Sequence, residues 1–114
     1  MMQRSGVDSQ SLRGFLRMVE DRFPSELLRI REPVRTHLDI TSLIFELERA
    51  GKDPVVVYEN VEGHKMPVVT NIAGNRTLLA ACLGVTPEEL PTAFRDRCQR
   101  YVACELVGEA PWQE

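Results

Sequence analysis

The sequence has little of what most directly marks a reaction centre. Its three cysteines, Cys82, Cys98 and Cys104, are an odd number with no Cys-x-x-Cys pair among them, which argues against a disulfide framework or a zinc knuckle. The two histidines, His37 and His64, lie in separate segments, so no metal-ligand spacing stands out. The longest apolar runs, such as residues 78–83, fall far short of the ~20 residues that span a bilayer. No charged start followed by an apolar stretch marks a secretory signal. Basic charge is not in excess: 14 Lys and Arg face 17 Asp and Glu for a net charge of −3. That balance disfavours a dedicated nucleic-acid binder, which carries a basic surface. Neither the G-x-G-x-x-G spacing nor a Walker pattern occurs around any glycine.

What remains describes an ordinary globular chain of 114 residues, 43% apolar and 27% charged, the size of one domain. Such a chain buries roughly two-thirds of its unfolded surface and needs no staples. Leu12, Phe15, Leu16, Val19 and Phe23 share one helical face, with Ser9 or Ser11 as the cap and Pro24 as the stop. Leu28 and Ile30 alternate with Arg29 and Arg31, the period of a half-buried strand before Pro33. Asp39 reads as the next N-cap, followed by a helix through Ile40, Leu43, Ile44 and Leu47 that stops at Gly51. Pro54-Val55-Val56-Val57-Tyr58 is composed like a central strand. After a turn at Glu62-Gly63-His64-Lys65, Met66-Pro67-Val68-Val69-Thr70 returns as a second strand. Gly74 permits a sharp turn into a short helix capped by Asn75 and stopped by Gly84. Thr86-Pro87-Glu88-Glu89 has the capping-box pattern, and Leu90, Phe94, Cys98 and Tyr101 continue that face, with Pro91 disturbing its first turn. Cys82 and Cys98 are expected among the core residues as small hydrophobes.

Helix, strand, helix, strand, strand, helix, helix is the order of an α/β (α+β) domain, a small mixed sheet covered by helices. Phe15, Leu43 and Val56 are the expected core. Residues 1–10 read as a flexible N-terminus and residues 11–101 as the domain. Residues 102–114 begin like a strand at Val102-Ala103-Cys104-Glu105-Leu106-Val107 but have nothing left in the sequence to pair with.

The candidate chemistry is thin. Gly74-Asn75-Arg76 opens a helix, where free N–H groups favour anions and Arg76 supplies a fork for phosphate or carboxylate; a turn glycine and a capping asparagine account for the same residues. Asn75-Arg76-Thr77 also matches a glycosylation sequon, a chance match without a secretion signal. Glu46 and Glu48 point in different directions from one helix and are not a catalytic pair. Glu59 stands at the end of the Val-rich strand without a visible base or nucleophile partner. His64 beside Lys65 reads as a turn residue, and His37 has no partner visible from sequence. All basic residues except Lys52 and Lys65 are arginine, and Arg95, Arg97 and Arg100 line the last helix. They form either a docking surface for an acidic partner or a solvated flank.

The serial order of several segments resembles the N-terminal region of the UbiD-like decarboxylases, which use a prenylated flavin mononucleotide. The likeness begins at Ser11-Leu12-Arg13-Gly14-Phe15-Leu16 and continues through Glu26-Leu27-Leu28-Arg29-Ile30 and the helix start at Asp39. Its most specific stretch runs from Pro54-Val55-Val56-Val57-Tyr58-Glu59 through Asn60-Val61-Glu62-Gly63. Met66-Pro67-Val68-Val69-Thr70-Asn71, Gly74-Asn75-Arg76 and Ala80-Ala81-Cys82-Leu83-Gly84 follow in the family's order. Ala110-Pro111-Trp112-Gln113-Glu114 is similar to the junction leading into the flavin-binding domain, with Trp112 in place of a small aliphatic residue.

The resemblance implies a non-catalytic N-terminal domain or small subunit of a carboxy-lyase acting on an aromatic or α,β-unsaturated acid. In that family the flavin, a divalent metal and potassium are held in a later region, so no catalytic, cofactor-binding or metal residue is expected in this chain. The implied partner is the flavin-binding domain or a large decarboxylase subunit, with no nucleic acid and no membrane, in the cytoplasm. The alternative is a freestanding interaction module whose strand-like tail at residues 102–114 pairs with a partner's sheet.

Overall fold

A computed structural model describes residues 10–110 of the chain. The first helix, α1 (Leu12–Arg22), starts where the Ser11 hydroxyl accepts the Gly14 N–H at 3.0 Å. It stops because Pro24 disfavours a helical residue before it, and Phe23 accordingly leaves the helix at φ −136°, ψ 55°. A single 3₁₀ turn, Pro24–Glu26, leads into β1 (Leu27–Ile30). Then come α2 (Asp39–Arg49), β2 (Val55–Tyr58), β3 (Val68–Thr70), α3 (Arg76–Leu83) and α4 (Leu90–Cys98). This is the element order expected from the apolar periodicities, and it makes an α/β fold.

The sheet has the order β1-β2-β3. Strand β1 runs parallel to β2 with Leu28 opposite Val56, and β3 returns antiparallel with Val69 opposite Val57. Because side chains alternate across a strand, β2 feeds two cores. On one face Val55 packs with Val19 of α1 and Leu78 of α3, joined by Phe15, Leu16, Leu27 and Val69. On the other, Val56 and Tyr58 pack with Val61 under Ile40, Leu43, Ile44 and Leu47 of α2. Every residue of β2 is buried, as suits a central strand covered by helices on both sides. Of the three expected core residues, Val56 is fully buried, whereas Leu43 and Phe15 are half-buried at its margin.

Several local readings need correction. Asp39 is not the N-cap of α2. That position belongs to Leu38, held in the left-handed region at φ 66°, and Asp39 begins the helix itself. Its carboxylate instead clamps Arg35, accepting the backbone N–H at 2.9 Å and the guanidinium Nη2 at 2.8 Å. Gly74 is needed for space rather than for a special φ. A Cβ there would run into the Asn71 amide, which turns back from a residue at φ 61° to donate to the Pro54 carbonyl at 3.0 Å. Cys82 and Cys98 are exposed, as is Cys104, because the helix faces carrying the first two have no further layer over them. Tyr101 lies beyond the end of α4 and is exposed. Residues 100–110 carry neither helix nor strand, and all except the half-buried Ala110 are exposed. The expected flexible segment, apart from Gln10, and the junction at Pro111-Trp112-Gln113-Glu114 lie outside the described residues.

Candidate functional site

The N-terminus of α3 is where the sequence placed its best anion-binding candidate, and it is already filled by the chain's own groups. The Asn75 side chain accepts the Leu78 N–H at 3.0 Å, and its amide donates to Glu26 Oε2 at 2.8 Å and Asp53 Oδ1 at 3.1 Å. Asn75 is nearly fully buried, and its acceptor and donors are all engaged, as burial of an amide demands. Arg76 turns away, with Nε donating to the Pro87 carbonyl at 3.4 Å. The constellation therefore works as a joint. Together with the Asn71–Pro54 bond it ties α3 to the 3₁₀ turn before β1 and to the entry of β2. Glu26, Asp53 and Asn71 were not singled out from sequence as members of it, since their partners stand 17 to 49 residues away.

The other candidates are likewise scattered or engaged. Glu59 pairs with Arg29 and Arg31 at 3.5 Å each, and Arg29 also meets Glu20 of α1 at 3.5 Å. Half-exposed pairs of this length contribute little to stability. Glu46 pairs with Arg49 at 3.1 Å, and Glu48 is exposed beside it. His37 and His64 are exposed in loops, their backbones closing turns with Asp39 and Val61. Arg97 does not join a basic row: its Nη2 donates to the Leu83 carbonyl at 2.6 Å, capping the end of α3, while Arg95 lies 3.8 Å from Asp96.

Electrostatics mark three further groups. The Arg35 guanidinium holds the Asp39 carboxyl below its usual range, chiefly through their hydrogen bonds. Burial pushes the Tyr58 phenol above its ordinary value, and partial desolvation raises the thiol of the exposed Cys82, so Cys82 is not an activated nucleophile. No group of three or more His, Cys, Asp or Glu among the described residues is arranged to hold a metal, and no described helix is long and apolar enough to cross a membrane.

What the fold does leave open is an apolar surface. Leu79, Cys82, Leu83, Leu90, Pro91 and Phe94, with Arg76 at the rim, line a depression of about 490 Å³ between α3 and α4. Next to it, Leu12, Phe15, Met18, Ile72, Ala81 and Cys82, together with Gln10, Ser11 and Gly14, line a second of about 700 Å³. Cys82 belongs to both, so the two form one surface across the outer side of α3. The helix α4 that forms its far wall is tied to the end of α3 by Arg97, while Arg76 and the reciprocal Thr86–Glu89 bonds hold the turn between the two helices. A third depression, of about 390 Å³, lies at the entry to β2 between Leu47, Lys52, Asp53 and Gly74.

Fold and surface thus define a small three-layer α/β domain with a largely apolar surface across α3 and α4. Residues 22–98 match the family of 3-octaprenyl-4-hydroxybenzoate carboxy-lyase N-terminal domains. The chain belongs to this UbiD N-terminal domain family. It is similar to HmfF, a UbiD-class enzyme from Pelotomaculum thermopropionicum solved in an evolved dimeric form with prFMN. Identity is 31% and the TM-score 0.69, over 85% of this chain and 22% of that one. It is also similar to vanillic acid decarboxylase from Sedimentibacter hydroxybenzoicus in open form, at 30% identity and a TM-score of 0.63, over 77% of this chain and 19% of that one. The chain spans about a fifth of the length of these solved structures.

The residues here do not fit the phosphate or metal of a flavin enzyme. The helix start bearing Arg76 is capped by Asn75 and Arg76 points elsewhere, while the two large depressions are lined mainly by apolar side chains.

Proposed function

We propose that this chain is the non-catalytic N-terminal part, domain or small subunit, of a UbiD-like carboxy-lyase, and that it packs against the flavin-binding region of that enzyme. The observation that carries the reading is the family match over residues 22–98, combined with solved relatives in which the matching segment is only 22% and 19% of the chain. HmfF has been solved in complex with prFMN and with FMN, and another solved relative is a vanillic acid decarboxylase. The complete enzyme then adds or removes CO₂ on an aromatic or α,β-unsaturated acid in the cytoplasm, with prenylated flavin, a divalent metal and potassium held outside this chain. This chain contributes a rigid wall: a strand sealed on both faces and α3 fixed to it by the Asn75 joint.

Titrating the chain alone with flavin mononucleotide, followed by absorbance, should show no saturable binding, and the chain alone should release no CO₂ from such acids. Together with the flavin-binding region of its own enzyme, turnover should exceed that of the region alone. Saturable micromolar flavin binding by the isolated chain would contradict the placement of the cofactor.

A further inference from the structure

The surface across α3 and α4 carries one more step, which rests on the reading above. Leu79 and Phe94 are exposed there although both are large and apolar, Phe94 to 62%. Soluble monomers rarely expose contiguous apolar patches beyond a few hundred Å², and here two apolar depressions share a wall at Cys82. The polypeptide also leaves the domain at this place. Helix α4 lines the depression with Leu90, Pro91 and Phe94, and the residues directly after it, including Val102 and Leu106, are exposed and unpaired with any strand of this sheet. In the solved relatives some four-fifths of the chain lies outside the matched segment. A surface at the exit of an N-terminal domain is the one that following chain reaches first.

We infer that the α3–α4 face, centred on Cys82 and walled by Leu79 and Phe94, is the seat of the flavin-binding region, and that the segment after α4 runs onto the same interface. The opposite helix supplies the contrast. Phe45 on α2 is as exposed as Phe94, at 59%, yet it is absent from the lining of all three depressions described. Exposure of an aromatic with no depression built around it is ordinary for a protein surface and marks no seat.

The test uses the flavin-binding region of this chain's own enzyme, purified with its flavin, and measures its association with the chain by calorimetry. Phe94→Asp and Leu79→Asp should each weaken association roughly 30-fold or more, as loss of a central apolar anchor does, while Phe45→Asp should stay within about threefold of wild type. Circular dichroism melts identify any variant that fails to fold. Independently of the variants, iodoacetamide labelling of Cys82 in the wild type should slow at least about tenfold in the complex, as burial of a thiol requires. Strong association that is indifferent to Phe94→Asp and leaves Cys82 labelling unchanged would overturn the seat while leaving the proposed function standing. Wild-type chain that does not associate at all would overturn both.

Discussion

Strand β2 and helix α4 are both short, both apolar along one part of their length, and folded into opposite fates. Every side chain of β2 is covered by helices of the same chain, whereas no residue of α4 is buried and Phe94 faces outward. Composition explains only part of the difference: α4 carries Arg95, Asp96 and Arg97 where β2 has no charge, yet its Phe94 is as apolar as the valines and still exposed. Position explains the rest. The strand has a helical layer on each side, whereas α4 packs on α3, tied by Arg97 to the end of that helix and by Arg76 to the turn between them. Burial within this chain is therefore complete around β2 and stops one layer short at α3 and α4.

That contrast predicts a steep gradient of mutational cost in the isolated chain. Leu78→Ala, on the inner side of α3 and fully buried, should destabilise by about 2–5 kcal/mol in a denaturant melt, since it opens a cavity against Val55 and Val19. Phe94→Ala should stay within about 0.5 kcal/mol of wild type, the usual range for an exposed site. Equal losses at both positions would mean that α4 is part of the core.

The joint between the two regions should give an intermediate effect. Asn75→Ala removes the cap of α3 and strips Glu26 and Asp53 of their shared donor, and should cost roughly 0.5–2 kcal/mol in the same melt. A neutral result would show that α3 is held by packing of Leu78 and Ala80 alone.

The smallest expected effect lies on the α2 side and depends on pH. Because Arg35 lowers the Asp39 carboxyl in the folded protein, ionised Asp39 contributes stability above the ordinary carboxylate range. That contribution is lost as pH falls through the lowered folded value. Melting temperatures of wild type and Asp39→Asn should therefore differ at neutral pH and converge in strong acid. Parallel curves across the whole range would remove the Arg35–Asp39 clamp from the account.

Apolar periodicity made the helices, the strands and the burial of β2 readable, because it records which faces meet inside the chain. Ser11 and Asn75 were readable as caps for a similar reason, their partners lying three residues away. Thr86 and Glu89 do bond reciprocally, but in the turn before α4, which starts only at Leu90 with Glu89 as an N-cap that makes no side-chain cap bond. The long-range polar joint was not readable, since nothing in the spacing of Glu26, Asp53 and Asn71 brings them together before the sheet does. Asp39 was misplaced by one residue because an exposed leucine in a left-handed conformation is an improbable cap, and only the Arg35 contact makes sense of it. The cysteines misled for a more instructive reason. Cys82 and Cys98 have the neighbours of core residues, but the layer that would cover them is not supplied by the described part of this chain.

Hydrogen exchange tests most directly the claim that this domain is packed at β2 and unfinished at α4. In dilute, monomeric solution, the amides of Val55–Tyr58 should be the most protected, with those of residues 101–107 exchanging close to the unprotected rate. Adding the flavin-binding region of the same enzyme should slow exchange in α4 and residues 101–107 and leave β2 unchanged. Protection of residues 101–107 equal to that of β2 in the monomer alone would contradict the account.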